Sequence, residues 1–242
     1  MTLLEVCVDT AAGLAAAVEG GADRIELCSA LALGGLTPSS GLMALAAEAQ
    51  KQTHLPVRAM IRPREGHFHF DAADGDMMLR DIDAVRAAGL DGVVIGASNA
   101  AGGLDTALLE RLVAHAAGMA VTLHRVVDLL PDPVEAVDVA IALGLSTILT
   151  SGGAIKAADG MDRIAAMHQR ASGRIEIMAG SGVHAGNAPA IIAATGIRAI
   201  HASCSRPISG ISARLLDLGF DNANRRITDR ATVVALRQAT GC

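Results

Sequence analysis

Eight times along the chain a short β-rich run gives way to a longer Ala- and Leu-rich stretch, and this alternation restricts the fold more than any other feature. Strands are expected at residues 3–7, 23–28, 56–61, 92–95, 120–124, 147–149, 174–178 and 197–201. Helices are expected at about 10–19, 41–51, 74–88, 105–116, 133–143, 161–170, 187–194 and 229–238. Gly21, Gly89, Gly144 and Gly196 each stand where a helix C-cap precedes the next strand. Repeated βα units impose parallel strands with right-handed crossovers. Eight of them within 242 residues predict an α/β fold, a single (β/α)8 TIM-like barrel over residues 1–242, in preference to an open doubly wound sheet. Residues 207–226 fit neither pattern and are expected to form an irregular loop before the last helix.

The core must be aliphatic: 51% of residues are hydrophobic, yet only Phe68, Phe70 and Phe220 are aromatic. The lack of Trp and Tyr removes the usual platforms for stacking single-stranded bases. A net charge of −5 argues against nucleic acid as a partner, because that affinity rests on neutralising phosphates. No apolar run approaches the roughly 18 residues of a membrane span, and the first residues lack the basic and apolar regions of a secretory signal. Cys7, Cys28, Cys204 and Cys242 show no C-x-x-C spacing and are expected to be reduced thiols of a cytoplasmic protein.

Strand side chains alternate between the barrel axis and the helices. In the first two strands Leu4, Val6, Val8, Ile25 and Leu27 suit the helix side, which leaves Glu5, Cys7, Glu26 and Cys28 facing the axis. Leu4-Glu5-Val6-Cys7 and Ile25-Glu26-Leu27-Cys28 are near repeats set 21 residues apart, so the two carboxylates and the two thiols are expected side by side on neighbouring strands. A buried carboxylate requires a cation. Arg62, His124 and Arg125, at the ends of strands three and five, are the expected sources. A closed ion-pair network filling the barrel stays open as an alternative to a functional site. The C-terminal ends of barrel strands are where such sites are built.

Three loops on that face have the composition of an anion cradle. Ser151 and Gly152 follow strand six, Gly180, Ser181 and Gly182 follow strand seven, and Ser203 follows strand eight. Glycines there let backbone N–H groups close around a phosphate or carboxylate, although tight turns alone would also use them. His67 and His69 share one side of an extended segment, and a solvated loop is the expected reading over a metal site. Cys204 follows strand eight closely enough to be reactive, whereas Cys242, as the last residue, is expected to be frayed.

The assembled motifs resemble the CutC copper-homeostasis family. The resemblance rests on Leu4-Glu5-Val6-Cys7-Val8-Asp9, on Gly20-Gly21-Ala22-Asp23-Arg24-Ile25-Glu26-Leu27-Cys28 and on Gly34-Gly35-Leu36-Thr37-Pro38-Ser39. Met60-Ile61-Arg62-Pro63-Arg64, His124-Arg125 and Ile148-Leu149-Thr150-Ser151-Gly152 continue it. Leu123 stands where the family often carries Phe, and Ser203-Cys204-Ser205-Arg206 replaces a Ser-Ala-Arg-like run. The resemblance implies a cytoplasmic (β/α)8 barrel, commonly a homodimer, with copper as the recorded function.

Three functional expectations follow. Cys7 and Cys28 as paired thiols would suit Cu(I), with the copper ion as partner. Alternatively, Glu5, Glu26 and His124 would perform acid–base chemistry on a small anionic or phosphorylated metabolite held by Arg62, Arg125 and the glycine loops. A non-catalytic binding or scaffold barrel would instead fill its site with its own ion pairs and leave no pocket.

Overall fold

The computed structural model describes residues 2–241, so Cys242 lies outside the described residues. Eight parallel strands close a barrel in sequence order: β1 (Leu3–Val8), β2 (Arg24–Leu27), β3 (Val57–Met60), β4 (Gly92–Ile95), β5 (Ala120–Leu123), β6 (Thr147–Thr150), β7 (Glu176–Ala179) and β8 (Ala199–Ala202). Between them run α1 (Ala11–Gly20), α2 (Ser40–Thr53), α3 (Ala72–Ala88), α4 (Thr106–His115), α5 (Ala136–Ala142), α6 (Met161–Ala171) and α7 (Ala188–Thr195). The TIM-like barrel read from the alternation is the fold. Helix starts are set by side chains that accept orphan amides: Thr10 caps α1, Asp71 caps α3 and Asp105 caps α4. Gly21, Gly89 and Gly196 end their helices at positive φ, where a side chain would be strained.

Leu4, Val6, Val8, Ile25 and Leu27 are fully buried in the aliphatic layer between strands and helices. Their alternates therefore face the axis, as the pattern required.

Two expectations change. Residues 207–226 are not simply irregular. β9 (Ser205–Pro207) pairs antiparallel with β10 (Arg226–Thr228), and a short helix, α8 (Ala213–Asp217), lies between them before α9 (Arg230–Ala239). Three-residue strands are too short to carry a readable period.

The second change concerns register. Glu5 lies opposite Arg24, and Cys7 lies opposite Glu26. The near-repeat motifs are thus offset by two residues, and neither the glutamates nor the cysteines are side by side. Closure of a barrel requires a stagger between neighbouring strands, and sequence similarity between two strands does not encode it.

Candidate functional site

Inward-facing side chains form two polar levels along the barrel axis. The lower level is a continuous network. Arg24 Nε donates to Glu5 at 2.5 Å, and its Nη2 donates to Glu176 at 2.9 Å. Thr147 bonds Glu176 at 3.2 Å, while Arg58 Nη1 donates to Thr147 and Thr122 at 2.9 and 2.6 Å. Burial opposes ionisation of Glu5, but its hydrogen bond to His201 and the charge of Arg24 outweigh it and lower its pKa to about 2. Glu5, expected among the acid–base groups, belongs to this floor and does not line the chamber above it.

One level higher, a cavity of about 640 Å³ opens at the C-terminal face. Cys7, Glu26 and His201 form its base. Their ligand atoms lie within 4.8 Å of one another. His201 joins the two levels: Nδ1 is 2.8 Å from Glu5 Oε1, and Nε2 is 3.8 Å from Glu26 Oε2. Burial works against the imidazolium, yet the adjacent Cys7 and Glu26 raise the His201 pKa well above its ordinary value. The Glu26 pKa is raised as well: burial, aided by the charge of Glu5, outweighs the lowering by His201.

Cys28 is fully buried and outside the chamber lining. It packs with Met60 and Val94 beneath Gly35, where an added Cβ would come within 3.1 Å of its sulfur. Its thiol donates to Glu26 Oε2 at 3.5 Å, and burial together with that carboxylate drives its pKa well up. Cys204 lines the chamber, and burial with the nearby Cys7 raises its pKa to about 12. His67 and His69 are exposed, with ring centroids 6.2 Å apart, away from the Cys7 cluster.

The wall comes from β3 and β5. Arg62 donates Nη1 to the carbonyls of Leu33 and Gly35 and Nη2 to that of Gly66, and its guanidinium lies over the Phe68 ring at 4.7 Å. The other side of the wall is His124, whose ring centroid is 4.9 Å from that of Phe68. The Val126 amide donates to His124 Nδ1 at 3.1 Å, which leaves the proton of the neutral ring on Nε2. Burial and then the charge of Arg62 lower the His124 pKa to about 3, so the ring is neutral at physiological pH. Neither Arg62 nor His124 bonds the two glutamates. Their cations are Arg24 and His201, which sequence reasoning missed in that role. Arg24 shares the strand parity of Glu26, and that signal was available in the sequence.

The anion loops divide in two. In the loop after β6 the cradle exists, but the protein's own Asp128 fills it. Asp128 accepts from the amides of Ser151 and Gly153, from the Thr150 and Ser151 hydroxyls, and from Arg125 Nε. The Gly152 amide bonds Thr150 Oγ1, and the Gly180 amide continues the sheet to the Thr150 carbonyl. Arg125 reaches the chamber lining while also bonding Ser151. Ser181, Gly182 and Ser203 do line the chamber. The Ser181 hydroxyl is spent on the Ile155 carbonyl, and Ser203 shares a hydrogen bond with Ser205.

A model of the CutC family matches residues 2–206. The chain belongs to the CutC family. The family protein CutC of Caulobacter vibrioides strain NA1000 is 54% identical, with 96% of this chain and 94% of that protein aligned. The Sinorhizobium medicae family protein CutC is 52% identical over 97% of this chain and 94% of its own. A Streptococcus agalactiae crystal structure, described provisionally as copper homeostasis protein CutC, superposes with a TM-score of 0.80 at 31% identity. It covers 84% of this chain and 99% of its own. Phosphoribosyl anthranilate isomerase of Thermotoga maritima shares the barrel alone, at a TM-score of 0.60, 12% identity and coverage of 99% and 98%. In this CutC-family chain the matched region ends within β9, so the segment carrying α8, β10 and α9 lies beyond it. Among the described residues no helix is long and apolar enough to cross a membrane.

Proposed function

We propose that the protein is a cytoplasmic Cu(I)-binding member of the CutC family, with the ion held at the base of the chamber. The observation that carries this reading is the convergence of Cys7, His201 and Glu26 ligand atoms within 4.8 Å. A thiolate and an imidazole are soft and borderline donors suited to Cu(I), and the carboxylate offsets its charge. Cys28 enters as a second thiolate when its hydrogen bond to Glu26 opens. His201 and Cys28, both with raised pKa values, must lose their protons to ligate, so metal uptake releases protons. Cys7, Cys28 and Cys204 are free thiols, which suits a reducing compartment. Homodimerisation belongs to the same reading, with exposed Leu129, Ile155 and Phe220 as apolar surface for a second copy.

The test is an anaerobic Cu(I) titration in competition with a strong chelator. The wild type should take up one ion per chain, Cys7→Ser should abolish that uptake, and Cys28→Ser should weaken it less. Uptake unchanged in Cys7→Ser would overturn the site.

A second reading is supported by the size of the chamber, which exceeds what one ion requires. About 640 Å³ falls within the range of small-molecule sites. In this reading the protein is an enzyme for a small anionic metabolite. Glu26 acts as the acid–base group, His124 as a neutral hydrogen-bond donor, and Arg62 holds the charge. Glu5 and Arg125 position His201 and the Asp128 loop. The open chamber also weighs against a barrel closed by its own ion pairs.

A further inference from the structure

Four buried side-chain atoms among the described residues have no hydrogen-bond partner, and three belong to residues that line this one chamber: Glu26 Oε1, Arg62 Nε and His124 Nε2. Native interiors rarely leave such groups unsatisfied, and several on one cavity point to a missing partner. Each parent side chain is more than nine-tenths buried. Arg62 is the most demanding. It is 5% exposed and bonded only to neutral carbonyls, and no carboxylate among the described residues lies within ion-pair distance. A buried cation with no carboxylate in contact is unfavourable, and Glu65 acts on it only from beyond ion-pair distance, so an anion in the chamber would stabilise Arg62.

The three groups specify complementary chemistry. Arg62 Nε–H and His124 Nε2–H are donors on side chains that both pack on Phe68, and they call for an anionic oxygen acceptor. Glu26 Oε1 is an acceptor in the same lining and calls for a donor. Leu33, Met60, Leu149, Val183 and Leu236 supply apolar lining to the same chamber. In the β6 loop the amides that would bind a phosphate are already held by Asp128, and the Gly180 amide is in the sheet, so phosphate enters the test as a competing probe.

We propose that the chamber binds a small hydroxycarboxylate with an aliphatic body, its carboxylate on Arg62 and His124 and its hydroxyl on Glu26. This assignment rests on the second reading above, that the chamber takes an organic anion.

Three probes test it by calorimetry on the metal-free wild type: leucate, isocaproate (the same acid without the hydroxyl) and inorganic phosphate. Leucate should bind about 10-fold more tightly than isocaproate, because an unmade hydrogen bond to a buried carboxylate is costly. Arg62→Met should weaken both acids by at least about 10-fold. Since Arg62 also ties down three loop carbonyls, His124→Leu serves as a second variant, with about a 5-fold loss for both acids. Glu26→Gln should reduce the preference for leucate to below about 3-fold while leaving isocaproate unchanged. Equal binding of the two acids overturns the hydroxycarboxylate and leaves the organic-anion reading standing. Phosphate binding more tightly than either acid overturns it in favour of a phosphorylated ligand. No saturable binding of any probe overturns the assignment and the organic-anion reading together.

Discussion

The two polar levels of the barrel both combine glutamate with arginine but are finished differently. In the floor, Glu5, Arg24, Glu176, Thr147, Arg58 and Thr122 satisfy one another in an unbroken chain of hydrogen bonds. In the chamber above it, Glu26, Arg62 and His124 each retain an unpaired atom, and Arg62 donates only to backbone carbonyls. A buried polar network that closes on itself stabilises and fixes the barrel, whereas one left open is poised for a ligand. Position relative to the strand ends separates the two, since the open level lies at the C-terminal face.

The comparison breaks most directly at Arg24. Arg24→Met leaves Glu5 and Glu176 without their shared cation and should cost about 3–5 kcal/mol in urea unfolding, the range for removing one partner of a buried ion pair. A loss below about 1 kcal/mol would show that the floor is not structural.

Acid titration sharpens the contrast next, because the levels fail in different pH windows. His124 has a lowered folded pKa of about 3 against an ordinary 6.5, so the unfolded chain binds its proton first and stability falls as pH drops below 6.5. Between pH 6.5 and 4.5 this should remove about 2–3 kcal/mol, at roughly 1.4 kcal/mol per unit. His201, with a raised pKa, is protonated in the folded chain throughout that range while its unfolded counterpart completes protonation just below pH 6.5, so it opposes the His124 slope only at the top of the window, by less than about 0.5 kcal/mol. Glu5 has a lowered pKa of about 2, so its contribution is complete above 4.5 and is lost as pH falls from 4.5 toward 2. Unfolding of His124→Gln across both windows should flatten the first and keep the second. A slope unchanged between 6.5 and 4.5 would remove the buried neutral His124 from the description.

The smallest effect is expected at Glu26. Its raised pKa means that the folded chamber disfavours the carboxylate, so Glu26→Gln should change stability by less than about 1 kcal/mol, in contrast to Arg24→Met. A loss as large as that of Arg24→Met would make the chamber part of the structural network.

The barrel itself was legible because its signals are local. A strand of Leu4, Val6 and Val8 alternating with Glu5 and Cys7, followed by a capped helix and a glycine stop, states its element and its inward face within about 20 residues. The inward set Glu5, Cys7, Glu26 and Cys28 was determined in the same way. The partners were not. Arg24 meets Glu176 across 152 positions, His201 meets Glu5 across 196, and Asp128 reaches the β6 loop across 23. The two-residue stagger of β1 against β2 separated Cys7 from Cys28 and brought Cys7 to Glu26 and His201. Sequence determined which side chains point at the axis, because alternation is a property of one strand. Tertiary structure alone decided which of them meet and which stay unpaired, because stagger and closure belong to the whole barrel.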